Sequence, residues 1–375
     1  MAASANYTPQ DDGIHVLIGS YRIENIEGVQ VTRSIETIPS NYSIALILKL
    51  PDGKTSAVDL IQTLDTVTIW SHKQIIHRGV VERKPRRLNS NSLEVVISGR
   101  SIIRNIFDCN AKNNGYNVTA NSLIDLISQM ISPLNIQGDI IDKRGDTSEQ
   151  SLVGFNLNPG ENVWPVISRA ASYEGVLVYD SPQGDLIISK VDPSARPVAR
   201  LDNNAPILDM SLVEDDSERF ATYRVVLQPV ALGNDNFSSM TFGLAQDDEI
   251  LKKDPSRERL IINATMNASG DYSQRLADWT RNRTWARSRT LEVTVSGHAY
   301  AAGQIWDVEQ MVQIDLPKLS IKDTWLISDV TYRYSRSEGE TTLLSLMHPL
   351  GFTPEPIVIA GASAEQNIST SNTDN

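Results

Sequence analysis

The chain has 375 residues, 40% of them apolar, which suits two to three globular domains with ordinary cores. Its 46 acidic side chains against 34 basic ones give a net charge of −12, which argues against nucleic-acid affinity across the whole surface and leaves room for a local basic patch. A single cysteine, Cys109, excludes a disulfide framework within the chain and a Cys-rich metal site, and a reducing compartment is the simpler home. The polar, acidic start from Met1 to Gly13 and the lack of any apolar run near 18 residues predict neither a signal peptide nor a membrane span.

The first part is β-rich. Val16 to Ile18, Tyr21 to Ile26, Gly28 to Ile35, Ser43 to Leu48, Thr66 to Trp70, Ile75 to Arg83 and Ser92 to Ser98 are β-branched or alternating, with turns at Pro51-Asp52-Gly53-Lys54 and Asn89-Ser90-Asn91. About seven strands at this spacing predict a barrel or sandwich over residues 1–112. From Thr119 the period changes: Leu123, Ile124, Ile127, Met130 and Ile131 form a helical stripe that Ser132-Pro133 ends. Asn158 then offers a cap for a second helix starting at Pro159, with Glu161 three residues after the cap. Val163, Val166, Ile167, Ala170 and Ala171 make its apolar face, and Gly175 offers a left-handed stop. Val176 to Tyr179 and Leu186 to Ser189 flank a tight reversal, so residues 113–191 read as a small α/β module of helix, helix and hairpin.

Residues 192–206 carry three prolines and read as a linker. Ile207 to Val213 and Ala221 to Gln228 are strand-like, after which the pattern is lost from Pro229 to Asp254, predicting a contact loop within a longer loop region 229–270. Asp271 caps a helix over 271–289, with Gln274 three residues later, and strands come next at Leu291 to Ser296, Val312 to Asp315, Thr324 to Ser335 and Thr341 to Met347. This makes 207–352 a second β domain, and the Pro-, Ser-, Thr- and Asn-rich residues 353–375 a disordered tail. The two β parts echo one another: Val67-x-Ile69 and Val312-x-Ile314 each precede a strand, and Val80 to Leu93 is the same distance as Val330 to Leu343. Chance alternation and a duplicated barrel both account for that spacing.

Several blocks in order carry a family resemblance: Pro159-Gly160-Glu161-Asn162-Val163-Trp164, Tyr173-Glu174-Gly175-Val176-Leu177-Val178-Tyr179 and Gly184-Asp185-Leu186-Ile187-Ile188. Near the start stand Val29-Gln30-Val31-Thr32-Arg33-Ser34-Ile35-Glu36, then Tyr42-Ser43-Ile44 and Gly99-Arg100-Ser101. Together they resemble the baseplate hub protein of Mu-like contractile-tailed phages, over roughly Ile14 to Pro349. The expected fold is then mainly β (α+β): two tube-type β-barrel domains with an inserted small α/β module. The resemblance implies a homotrimer in the virion's tail baseplate, assembled in the host cytoplasm. There it would join the tail tube protein to the central spike protein beside other baseplate proteins. Six near-equivalent faces would let a three-fold object meet a six-fold ring, around a passage for DNA. A passage lined by carboxylates would keep DNA from adhering; the same charge excess also simply keeps a protein soluble.

Chemistry is thin. His72 and His77 lie on opposite arms or ends of a hairpin rather than on one helix face, a poor start for a metal site. The acidic runs Glu214-Asp215-Asp216-Ser217-Glu218 and Asp247-Asp248-Glu249 lack the spacing of a calcium loop and read as solvated faces. Ser, His and Asp occur without a nucleophile elbow, no glycine loop cradles phosphate, and Cys109 lacks an activating neighbour in sequence. No catalytic residue, cofactor or metal is assigned, and alanine at His72, Asp215 or Asp247 is expected to leave assembly intact. The remaining candidate is the 271–289 helix, where Arg275, Arg281, Arg283 and Arg287 interleave with Trp279 and Trp285. Arginine beside indole suits single-stranded nucleic acid, the same pattern suits an amphipathic helix packed on a core, and in a hub these arginines would pair across a subunit boundary. The expected function is a structural, non-enzymatic hub, with a nucleic-acid- or glycan-binding module or a tail-associated wall-degrading hydrolase as alternatives.

Overall fold

The computed structural model describes residues 9, 11, 13–49, 60–89, 92–112, 117–145, 152–227, 241–263 and 270–356. The turn at 51–54, the centre of the 89–91 turn, and the tail from 357 onward lie outside the described residues.

The first part holds β1 (His15–Ile18), β2 (Tyr21–Ile23), β3 (Ile26–Ser34), β4 (Asn41–Lys49), β5 (Thr66–Ser71), β6 (Gln74–Val80), β7 (Arg86–Leu88) and β8 (Ser92–Arg100). The middle holds α1 (Asn105–Asp108), β9 (Asn117–Ala120), α2 (Leu123–Ile131), β10 (Ile140–Asp142), β11 (Leu152–Asn156), α3 (Val163–Glu174), β12 (Leu177–Asp180) and β13 (Leu186–Ser189). Then come β14 (Ala199–Asp202), β15 (Ile207–Glu214), β16 (Thr222–Leu227), β17 (Thr241–Gln246), α4 (Asp248–Lys253), β18 (Glu258–Asn263) and α5 (Gly270–Arg287). The last part holds β19 (Arg289–Ser296), β20 (Ala299–Ala301), β21 (Gln304–Ile305), β22 (Met311–Leu316), β23 (Ile321–Ser335) and β24 (Gly339–Met347).

The mainly β architecture with an α/β insert is present, but the expected pair of separate barrels is not: among the described residues the strands of both ends share one open ten-stranded sheet. Its path is β15-β19-β24-β23-β3-β4-β8-β7, with β22 beside β23 and β14 beside β22. The join is the antiparallel ladder of β23 with β3, from Asp329 opposite Ser34 to Ser335 opposite Gly28. The reason is edge pairing. Each half presents a strand with a bare row of amides and carbonyls and an inward apolar alternation, Val29 and Val31 on β3 and Val330 and Tyr332 on β23, all 4% exposed or less. Pairing the two edges satisfies both rows. The inward side shares one core with the four-stranded sheet β2-β1-β5-β6, which contributes Val16, Ile18, Val67 and Ile69. The equal spacings found in sequence join unlike partners: Thr331 pairs with Leu343 in the β23–β24 hairpin, whereas Leu93 sits on β8, paired with β4 and β7 rather than β6.

The insert has its own core, where Leu123, Leu126, Ile127 and Met130 of α2 meet Val163, Val166, Ile167 and Ala170 of α3. Ser122 caps α2, its hydroxyl accepting from the Asp125 amide at 3.2 Å. α3 starts at Val163, four residues later than expected. Glu161 does reach back to the Asn158 amide at 2.8 Å, but Gly160 has φ +79°, so those residues close a turn before the helix instead of its first turn. The stop is where sequence placed it, at Gly175 with φ +67°.

Two further expectations change. The 192–206 linker contains β14, which pairs in parallel with β22 from Ala199 opposite Val312. The 229–270 loop contains β17, α4 and β18, while its positions 229–240 and 264–269 lie outside the described residues. The tertiary partner makes these strands: Phe242, Leu244 and Gln246 alternate outward while Gly243 and Ala245 face α5, and a glycine in that row hides the β pattern from a propensity reading.

Candidate assembly interface

Helix α5 is polar over most of its length and is held by the groups that lie against it. Tyr272, Leu276 and Ala277 are buried against Tyr223, Val225 and Ala245 of the β16–β17–β18 sheet. Gly243 lets them close: a Cβ there would stand 2.0 Å from the Ser273 carbonyl oxygen. The Gln274 amide then takes the place of a neighbouring strand, accepting from the Leu244 amide at 3.1 Å and donating to the Leu244 carbonyl at 2.9 Å. The Asp271 side chain, expected as the cap, lies outside the described residues.

The four arginines divide. Arg283 and Arg287 donate to the Gly351 carbonyl at 3.1 and 3.2 Å and both pair with Glu36, just beyond β3. Arg281 has its Nε buried without a hydrogen-bond partner among the described residues, and Arg275 is exposed. The indoles are already engaged: the Trp279 N–H donates to the Thr353 carbonyl at 2.6 Å with the Arg283 guanidinium 5.4 Å from its ring centroid, and Trp285 meets His348 edge-on at 4.7 Å. Rings and arginines thus fasten residues 351–356 along α5, and residues 353–356 are a bound strap rather than part of a disordered tail. Between strap, helix and insert lies a groove of about 340 Å³, walled by Glu36, Trp164, Trp279, Arg283, Phe352 and Glu355.

The acidic runs do serve structure. Arg219, 1% exposed, donates to Asp247 at 2.9 and 3.0 Å, to Asp216 at 2.8 Å and to Glu249 at 3.0 Å, drawing one carboxylate from the first run and two from the second. Asp247 also caps α4 through the Glu249 and Ile250 amides. Asp215 accepts from the nearby Ser217, through its amide at 2.9 Å and through its side chain. No spacing rule links residues 216, 219, 247 and 249, because the β16–β17 pairing brings them together.

The histidines are not united. His72 is in the two-residue turn between β5 and β6, where it and Lys73 take φ of +48° and +63°, and its Nε2 lies 3.3 Å from Glu340. His77 points into the core. Among the described residues, no group of three or more His, Cys, Asp and Glu side chains is placed to hold a metal ion. Sequence reasoning did miss one constellation, Ser40, His77 and Asp180, each 1% exposed. The Ser40 hydroxyl donates to Asp180 Oδ2, so the His77 Nδ1, 3.3 Å from Ser40 Oγ, carries a proton and donates to that hydroxyl oxygen. A hydrolytic triad needs the imidazole between hydroxyl and carboxylate; here serine is in the middle and all three are sealed from solvent.

Burial first, and then the Arg33 charge, push the His77 pKa from its ordinary 6.5 down to about 3. The unfolded chain therefore binds a proton that the folded one refuses, and stability conferred by neutral His77 declines as pH falls from about 6.5 toward 3. Denaturant titrations of His77→Leu should show a shallower acid-side slope, by up to the equivalent of one proton. Identical slopes would refute the buried neutral imidazole.

Comparison with known proteins converges on phage tails. Residues 104–190 match the second domain described for baseplate hub protein gp44-like proteins, and residues 269–355 the fourth domain described for the Mu phage baseplate assembly protein GpP. The baseplate hub protein gp44 of Escherichia phage Mu is 26% identical over 333 residues, covering 86% of this chain and 84% of that one. The crystal structure of the prophage MuSo2 43 kDa tail protein from Shewanella oneidensis superposes with a TM-score of 0.79 at 17% identity, covering 90% of this chain and 99% of that one. The E. coli c3393 protein, a type VI secretion system component described as structurally similar to the T4 tail proteins gp27 and gp5, has a TM-score of 0.57 at 8% identity, over 90% and 79% of the two chains.

Proposed function

We propose that this chain, which is similar to the baseplate hub proteins of Mu-like phages, forms a homotrimeric ring that joins the tail tube to the central spike around a passage for DNA. The observation that carries the ring is the pair of sheet edges, β15 and β7, that have no further strand partner among the described residues. β15 at one end exposes Leu208, Met210 and Val213 at 60, 39 and 53%, and β7 at the other exposes Leu88 at 69%. Unlike edges on one copy make a head-to-tail contact, and such a contact yields a closed object only when a rotation returns to its start. A three-fold ring meets that requirement.

In this reading Arg275, which is exposed, and Arg281 face a subunit boundary, and Arg283 and Arg287 hold Glu36 and the strap. The nucleic-acid alternative loses support, since Trp279 and Trp285 already pack against Arg283 and His348. The named relatives are structural hub and tail proteins, which fits a chain without a catalytic role in the virion's tail baseplate, assembled in the host cytoplasm. Light scattering of the purified protein, alone and with tube and spike proteins, should give about three times 41.5 kDa for the hub component. Val213→Lys on the open edge should lower the mass to that of one chain without unfolding it. A monomer at high concentration under every condition would overturn the ring.

A further inference from the structure

The β16–β17–β18 sheet has α5 on one face and nothing described on the other. That second face carries four exposed apolar side chains beside the Arg224–Glu258 ion pair: Phe242 is 57% exposed, Leu244 48%, Leu260 55% and Ile262 62%. Strand register sets them in two rows, Phe242–Val226–Ile262 and Leu244–Arg224–Leu260. Scattered apolar side chains on a surface need no explanation, but contiguous rows mark a contact.

The path of the chain points to the occupant. The strap runs antiparallel to α5, first at Arg283 and Arg287 through Gly351, then at Trp279 through Thr353, and finally at Tyr272, whose hydroxyl donates to the Pro356 carbonyl at 3.1 Å. Tyr272 is itself buried against Tyr223, Val225 and Ala245 of this same sheet, so its hydroxyl holds Pro356 within one tyrosine side chain of it. The next residues in sequence are Ile357-Val358-Ile359-Ala360-Gly361, and those beyond are mostly polar.

We propose that residues 357–361 dock on the bare face of the β16–β17–β18 sheet of their own chain. Five extended residues reach roughly 16 Å, the span of about three strands spaced about 4.8 Å apart. β-branched apolar side chains suit a pleated apolar surface. The strap is the tether: by fixing Pro356 at Tyr272 it holds the segment beside its site and raises its effective concentration there. The docking is independent of the ring and holds for a single copy.

The test uses the full chain with Cys109→Ser, pairing Leu244→Cys with Ile357→Cys in one variant and with Ile359→Cys in another. Mild oxidation should produce a disulfide within one chain in at least one variant, seen as an intact mass lower by two hydrogens at monomer mobility under denaturing, non-reducing conditions. A disulfide between chains, or none in either variant, would overturn the proposal. A chain ended after Pro356 gives a second reading: dye fluorescence sensitive to exposed apolar surface should rise several-fold relative to the full chain. Unchanged fluorescence would also overturn it, whereas the scattering mass bears on the ring alone.

Discussion

Replacing Arg219 by leucine should destabilise the protein by about 3–5 kcal/mol, because a buried ion pair that loses one partner leaves an uncompensated charge behind. Asp247, 4% exposed on its side chain, would keep only its two amide contacts, and Asp216 and Glu249 would lose their shared partner. The exposed pair Arg224–Glu258, 47% and 46% exposed, supplies the contrast: Arg224→Ala should cost less than about 1 kcal/mol. Chemical denaturation of both variants checks the difference, and near-equal values would mean that Arg219 is not the anchor. This geometry also reverses part of the expectation made from sequence. Asp247→Ala should weaken folding, while His72 and Asp215 keep surface roles.

Gly243→Ala is the second large effect. The added methyl would meet the Ser273 carbonyl oxygen at 2.0 Å, a backbone atom that no rotamer change moves aside. Overpacking of this kind costs about 1–3 kcal/mol and more when a backbone must shift. The relaxation available is for α5 to lift from β17, which also pulls Gln274 from Leu244. Hydrogen exchange should therefore accelerate at the Leu244 amide more than at amides of the β23–β3 ladder. Unaltered stability and exchange would show that the helix does not depend on this approach.

Local order was legible in the sequence wherever one short segment carried all its own signals. The α2 stripe with its Ser122 cap, the Gly175 stop, the β12–β13 hairpin and the long β23 and β24 strands depend on neighbours a few residues away, so period and capping chemistry sufficed. The resemblance to baseplate hub proteins was legible for the same reason, as blocks in order. Tertiary structure alone decided the rest. It merged the expected barrels through β23 and β3, whose pairing partners are about 300 positions apart. It turned a patternless loop into β17, whose outward Phe242 and Leu244 and inward Gly243 and Ala245 have meaning only with α5 beneath them. It gathered Asp216, Arg219, Asp247 and Glu249 into one cluster and sealed Ser40, His77 and Asp180 in the core. Burial and pairing belong to the neighbours that pack against a residue in space, and a linear chain records only its neighbours in sequence.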